Sequence, residues 1–86
     1  MRELEKILKA FANHRRLEIL RYLKREKEAT VGDIADHIKL SFNATSKHLG
    51  ILSSQDVVDK DQRSLNIYYS IAKDLKPAIR KIVDII

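Results

Sequence analysis

The chain has 86 residues, enough for one domain built around one modest core. Its 17 Lys and Arg against 12 Asp and Glu leave a formal net charge of +5, an excess that favours a polyanionic partner without requiring one. Cysteine is absent, which excludes disulfides, thiolate metal sites and cysteine nucleophiles.

No apolar run is long enough to span a bilayer, and Arg2, Glu3, Glu5 and Lys6 interrupt the start where a signal peptide would need one. The expectation is a soluble cytoplasmic protein with no membrane contact. With 2 Gly and 1 Pro, little chain is left for long loops, and the density of Lys, Glu and Ile suits a heat-stable protein. There is no internal repeat, low-complexity tract or linker, so residues 1–86 read as a single domain.

Apolar residues recur at Leu4, Ile7, Leu8 and Phe11, with Glu3, Glu5, Lys6 and Lys9 between them, which predicts an amphipathic first helix over residues 2–11. Asn13 can cap a second helix over residues 14–27 by accepting from an orphan backbone N–H. Leu17, Ile19, Leu20, Tyr22 and Leu23 cover more than half of its circumference, so it should be central. Arg15, Arg16, Arg21, Lys24, Arg25 and Lys27 crowd it with positive charge. That charge fits either a solvated face balanced by Glu18 and Glu26 or contact with phosphate. Thr30 followed by Asp33 resembles a capping box and opens a short third helix over residues 31–38, with Val31, Ile34, Ala35 and Ile38 inward.

A tight connection at Lys39 and Leu40 leads to Ser41, which caps a fourth helix running to Gln55. Phe42, Thr45, Leu49 and Leu52 keep the spacing of a buried stripe. The other side carries Asn43, Ala44, Lys47 and Gly50, flanked by Ser46 and His48, with no carboxylate before Asp56. An exposed helix serving only solubility would mix both signs on long side chains. Short donors and acceptors around one lysine suit the floor of a DNA major groove. Two helices joined by so short a turn form a helix-turn-helix, whose second member enters the groove.

Beyond Gln55 the period changes. Val57 and Val58, then Leu65 to Ile71 in alternation, predict two strands joined by a polar tip, Asp61-Gln62-Arg63-Ser64. Asp74 is expected to cap a last helix with Pro77 in its first turn and Ile79, Ile82, Val83 and Ile86 as its apolar stripe. The fold expected is mainly α with a small β-hairpin, in the order α-α-α-α-β-β-α. Leu4, Ile7, Leu8 and Phe11, together with Ile79, Ile82, Val83 and Ile86, are more apolar surface than one small chain needs at its two ends. Burying a Leu or Ile is worth roughly 1.5–3 kcal/mol, so these faces predict a homodimer, the alternative being that both helices merely close one core.

Four segments in order resemble the ArsR family of winged helix-turn-helix repressors over nearly the whole chain. Ala12-Asn13-His14-Arg15-Arg16-Leu17-Glu18-Ile19-Leu20 resembles the family's Ala-x-Pro-x-Arg-Leu-x-Ile-Leu, and Val31-Gly32-Asp33-Ile34-Ala35 its third helix. Leu40-Ser41 with Ser46-Lys47-His48-Leu49 resembles the recognition-helix pattern, and Ile67-Tyr68-Tyr69-Ser70-Ile71 the second wing strand. The resemblance implies a winged helix-turn-helix dimerising through its first and last helices and binding double-stranded DNA. A two-fold dimer would set its recognition helices roughly 34 Å apart and prefer a pseudo-palindromic operator.

Ser41, Asn43, Ala44, Ser46, Lys47 and His48 are then the candidate groove residues. Asn43 and Lys47 are the expected base readers, and Ser41, Ser46 and His48 the expected phosphate contacts. Arg63 is the candidate contact from the wing.

Departures from the family bear on function. Thr30 and Gly32 stand where metal-sensing members carry thiolates, and residues 73–86 contain no histidine. His37 and Asp33 are spaced to pair along one helix, as a hydrogen bond facing solvent rather than as a metal site. The expectation is a regulator with no metal and no cofactor, its effector unknown. Asp56 replaces the usual left-handed glycine after the recognition helix, a conformation aspartate tolerates at some cost. Asp59 and Asp61 in the wing would oppose phosphate, which keeps open an alternative use of the fold, as a protein–protein module within a transcription complex. Nothing in the chain arranges a nucleophile, base and phosphate loop, so it does not read as an enzyme.

Overall fold

The computed structural model describes all 86 residues, Met1–Ile86. The helical periods of the sequence become α1 (Arg2–Phe11), α2 (His14–Glu26), α3 (Val31–Ile38), α4 (Phe42–Ser54) and α5 (Pro77–Ile85). Between them lie β1 (Ala29–Thr30), β2 (Val58–Arg63) and β3 (Asn66–Ile71), which form one antiparallel sheet in the order β1-β3-β2. This is a mainly helical winged helix-turn-helix, as the sequence predicts. No helix is long and apolar enough to cross a membrane.

Three helix starts are closed by the expected caps. Asn13, Thr30 and Ser41 accept from the backbone N–H of Arg16, Asp33 and Ala44 at 3.1, 3.2 and 3.1 Å. Helix ends are closed without glycine. Lys39 takes a left-handed φ of 56°, and Leu40 N–H reaches back to Ala35 C=O at 3.1 Å. Asp56 does the same at φ 57°, with Asp56 N–H on Ser53 C=O and Val57 N–H on Leu52 C=O, both at 3.0 Å. These are Schellman closures on residues that carry a Cβ, and Asp56 fills the glycine role expected of it.

One hydrophobic cluster is shared by all five helices and the sheet. Its fully buried members include Ile19, Leu20 and Leu23 of α2, Ile34 of α3, Leu49 and Leu52 of α4, and Val83 of α5. α2 is therefore the central helix that its wide apolar face predicts.

Several details differ from the expectation. β1 is an additional strand whose Ala29 and Thr30 pair with Tyr69 and Tyr68; two residues are too few to show a period. The tip of the hairpin is Ser64-Leu65 rather than residues 61–64, because β2 continues to Arg63, paired with Asn66. Only Val58 of β2 is buried, so this strand shows no alternation to read. Leu65, expected in the second strand, is 95% exposed at the tip. α2 ends at Glu26, and Lys27 follows at φ 75°. Asp74 does not cap α5: the residue before a proline is pushed into the extended region, so Lys76 (ψ 147°) stands outside and the helix begins at Pro77.

Phe42 is 59% exposed, although Thr45, Leu49 and Leu52 are fully buried as predicted. Its direction around the helix is right, but the first turn of α4 lies beyond the packed core.

The eight candidate dimer residues also divide. Phe11, Ile79 and Val83 are buried within the single chain, and Ile7, Ile82 and Ile86 pack partly against its core. Only Leu4 and Leu8 stay exposed, joined by Met1 and Ile85, which the periodicity did not single out.

Two substitutions check this account in urea unfolding at fixed protein concentration. Thr45 Oγ1 is buried without a partner, so Thr45→Val should raise stability by about 1–2 kcal/mol. Lys39→Gly should gain about 0.5–1 kcal/mol, because relief of the left-handed strain exceeds the added chain entropy.

Candidate nucleic-acid interface

The helix-turn-helix consists of α3, residues 39–41 and α4. The left-handed Lys39 turns the chain sharply enough for Ser41 to start α4 two residues later. Burial of Thr45, Leu49 and Leu52 then fixes which side of α4 faces out. On that side Asn43, Lys47 and Gly50 are exposed, and Ala44 and Ser46 half-exposed. Neither Asn43 nor Lys47 makes a side-chain hydrogen bond or ion pair within the chain, so both keep their full bonding capacity. Ser41 Oγ accepts from Ala44 N–H, which leaves its hydroxyl proton free to donate. A Cβ added at Gly50 would meet nothing within 4 Å, so packing within this chain does not call for a glycine there.

His48, a candidate phosphate contact, is also tied into the fold. The ring is half-buried, and Arg16 Nη1 donates to its Nδ1 at 3.1 Å. Burial, and then the charges of Arg16 and Arg15, hold its pKa below the ordinary 6.5. Arg15 and Arg16 are not a loose cationic face. Arg16 also binds the carbonyls of Ala10 and Lys9, while Arg15 binds Ile38 C=O at 2.7 Å and Glu18 at 3.1 Å. Sequence reading missed this use because the partners lie 6, 7, 23 and 32 residues away. The available signal was that α1 and α3 end without glycine, so their last carbonyls needed donors from elsewhere.

The wing is held by its own charges. Arg63 Nη1 and Nη2 donate to the two carboxylate oxygens of Glu28 at 2.7 and 2.9 Å, and Nε donates to Asp61 at 2.8 Å. The guanidinium also lies 4.7 Å from the centre of the Tyr68 ring. In the free chain Arg63, the candidate wing contact, is engaged by Glu28 and Asp61, and Lys60 is the unpaired cation of this strand. Asp59 accepts from Lys73 N–H at 3.2 Å, so both wing carboxylates have partners.

The remaining histidines lie on separate helices with separate neighbours. His37 stacks on Tyr22 with ring centroids 4.3 Å apart, instead of bonding to Asp33, and His14 approaches Glu18 at 3.6 Å. No group of three or more His, Cys, Asp or Glu side chains is placed to hold a metal ion.

Residues 13–60, from the cap of α2 through α4 into the wing, match the profile of the family described as bacterial regulatory protein, arsR family. This chain belongs to the ArsR family. It is similar to the transcriptional repressor SdpR of Bacillus subtilis, at 37% identity over 65 residues covering 76% of this chain and 71% of SdpR. It is also similar to the transcriptional activator HlyU of Vibrio cholerae serotype O1, at 35% identity over 66 residues covering 77% of this chain. The match spans 60% of the length of HlyU.

Among solved structures, the homodimeric winged helix-turn-helix DNA-binding domain of Mb0332 from Mycobacterium bovis superimposes with a TM-score of 0.83. Its identity is 27%, and the alignment covers 98% of this chain and 74% of that one. The chain is thus a winged helix-turn-helix member of a family of DNA-binding transcriptional regulators, not of enzymes. DNA binding and homodimerisation are typical of that family.

The wing tether yields a pH prediction. The hydrogen bond from Arg63 holds the Glu28 carboxyl below its ordinary value of 4.5. A depressed carboxylate pKa keeps the tether intact above the ordinary value and releases it as pH falls through the lower folded one. The Tyr68 ring resonances should therefore stay native on acidification through pH 4.5 and move only below it. In Glu28→Gln they should already be displaced at neutral pH.

Proposed function

We propose that residues 1–86 form one homodimeric, cytoplasmic, sequence-specific double-stranded DNA-binding domain that acts as a transcriptional repressor and reads a pseudo-palindromic operator through α4. The observation that carries this reading is the outer face of α4, where Asn43 and Lys47 stand exposed and unpaired while the inner face is locked into the core. Asn43 can pair bidentately with adenine, Lys47 can donate to guanine, and the Ala44 methyl can meet a thymine methyl. Ser41 and Ser46 donate to phosphate and set register.

Dimerisation is supported by the exposed Leu4, Leu8, Met1 and Ile85 beside the half-buried Ile7, Ile82 and Ile86, and by the homodimer named for Mb0332. Repression is supported by SdpR, which matches over more of its length than the activator HlyU does. A regulator that does not sense metal is supported by Thr30, whose hydroxyl is engaged as the cap of α3, and by Gly32, which has no side chain to offer. The wing carboxylates that favoured a protein-binding alternative are both engaged within the chain, Asp61 by the Arg63 guanidinium and Asp59 by the Lys73 backbone N–H.

Selection of bound duplexes from random DNA at two salt concentrations tests the proposal. The expected product is a repeated half-site spaced about ten base pairs centre to centre, with affinity falling as salt rises. Failure to retain any duplex even at low salt would overturn the reading. On the selected duplex, Lys47→Ala should weaken binding by roughly 1–3 kcal/mol at fixed salt, and an unchanged affinity would remove Lys47 from the interface.

A further inference from the structure

Arg16 serves three acceptors with one guanidinium. Nε donates to Ala10 C=O at 2.7 Å, Nη2 to Lys9 C=O at 3.1 Å, and Nη1 to His48 Nδ1 at 3.1 Å. Lys9 and Ala10 lie in the last turn of α1, the helix that bears Leu4 and Leu8. His48 lies on α4, next to Lys47 in sequence. One side chain of α2 thus joins the end of the proposed dimer helix to the proposed reading helix.

The chemistry of this contact is directional. Arginine has only donors, so Nδ1 must be the acceptor; the imidazole is then neutral and its proton resides on Nε2. Nε2 has no partner in the chain, and it is not among the buried polar atoms left without one, so it reaches solvent. Arg15 and Arg16, both on α2, are the charged groups that disfavour the imidazolium, in addition to burial.

We propose that Arg16 is a positioning residue for DNA recognition: it clasps the end of α1 and holds His48 as the Nε2–H tautomer, whose outward N–H donates to the DNA backbone. This inference rests on the reading of α4 as the groove helix. It separates the role of Arg16 from that of a simple cation, because lysine keeps the charge but gathers its donors on one nitrogen, without the planar fork that spans acceptors on two helices.

The first test needs no DNA. Long-range proton–nitrogen correlation on the full chain should show His48 as the Nε2–H tautomer, protonating below pH 6.5. In Arg16→Gln the titration should move up towards 6.5. A Nδ1–H tautomer, or a wild-type ring that titrates at or above 6.5, overturns the proposal.

The second test uses the duplex recovered from random DNA by the wild-type protein. Arg16→Lys and His48→Phe should each weaken binding by about tenfold, and the double variant should be no weaker than either single one. Losses that multiply, or an Arg16→Lys protein that binds as tightly as wild type, overturn it. Lys47→Ala is the control: if it weakens binding while Arg16→Lys does not, the clasp fails and the groove reading stands. If neither change weakens binding, the groove reading itself fails, and the tautomer measurement still decides the state of His48.

Discussion

A helix that ends in a small protein leaves its last carbonyls in want of donors, and this chain meets that constraint with almost no glycine. Both of its glycines lie inside helices, Gly32 in α3 and Gly50 in α4. The end of α1 is instead served from the first turn of α2, Arg16 binding the carbonyls of Lys9 and Ala10, and Arg15 binds that of Ile38 beside the backbone closure at Lys39. Hydrogen bonds from a charged donor are stronger than neutral ones, and partial burial protects those to Ala10 and Ile38 from screening. α2 therefore orients its neighbours twice, through the apolar contacts of Ile19, Leu20 and Leu23 and through two arginines that set where adjoining helices stop.

From that arrangement follows the exposed face of α4. Once Thr45, Leu49 and Leu52 are inside, Asn43 and Lys47 have nowhere to go but outward. The wing contributes differently. Its arginine and two aspartates are spent on internal bonds to Glu28, Tyr68 and the Lys73 backbone. Much of the positive charge counted along the sequence is thus committed to structure. Seven of the 17 Lys and Arg side chains carry such internal bonds, and under the proposed reading the ten without a partner, Lys47 and Lys60 among them, are those left for phosphate.

Helix positions were legible wherever a long apolar period met a capping side chain. Asn13, Thr30 and Ser41 announce their helices, and the bounds of α1 and α3 follow to the residue. The inner side of α4 was legible except at Phe42, since periodicity gives direction around a helix but not how far along it the core extends. β1 and the outer half of β2 were not legible, because two residues or a strand exposed on both faces carry no alternation. The roles of Arg15, Arg16 and Arg63 were hidden for another reason. A cation in a sequence looks the same whether it faces water or clasps a carbonyl 23 residues away. Position in the family pattern identified the surface of α4, and only the fold showed that His48 is held from behind.

The sharp bends of this backbone have one more effect. Lys27, Lys39, Asp56 and Ser64 all adopt a positive φ that glycine would enter freely. Each is strained in the native state, yet each also narrows the denatured ensemble, since a residue with a Cβ has fewer conformations to surrender on folding. The two effects oppose each other at every bend, and their balance shifts with temperature. The entropic saving grows on heating while the strain stays nearly constant, so a chain bent this way yields some stability in the cold and keeps more of it when hot.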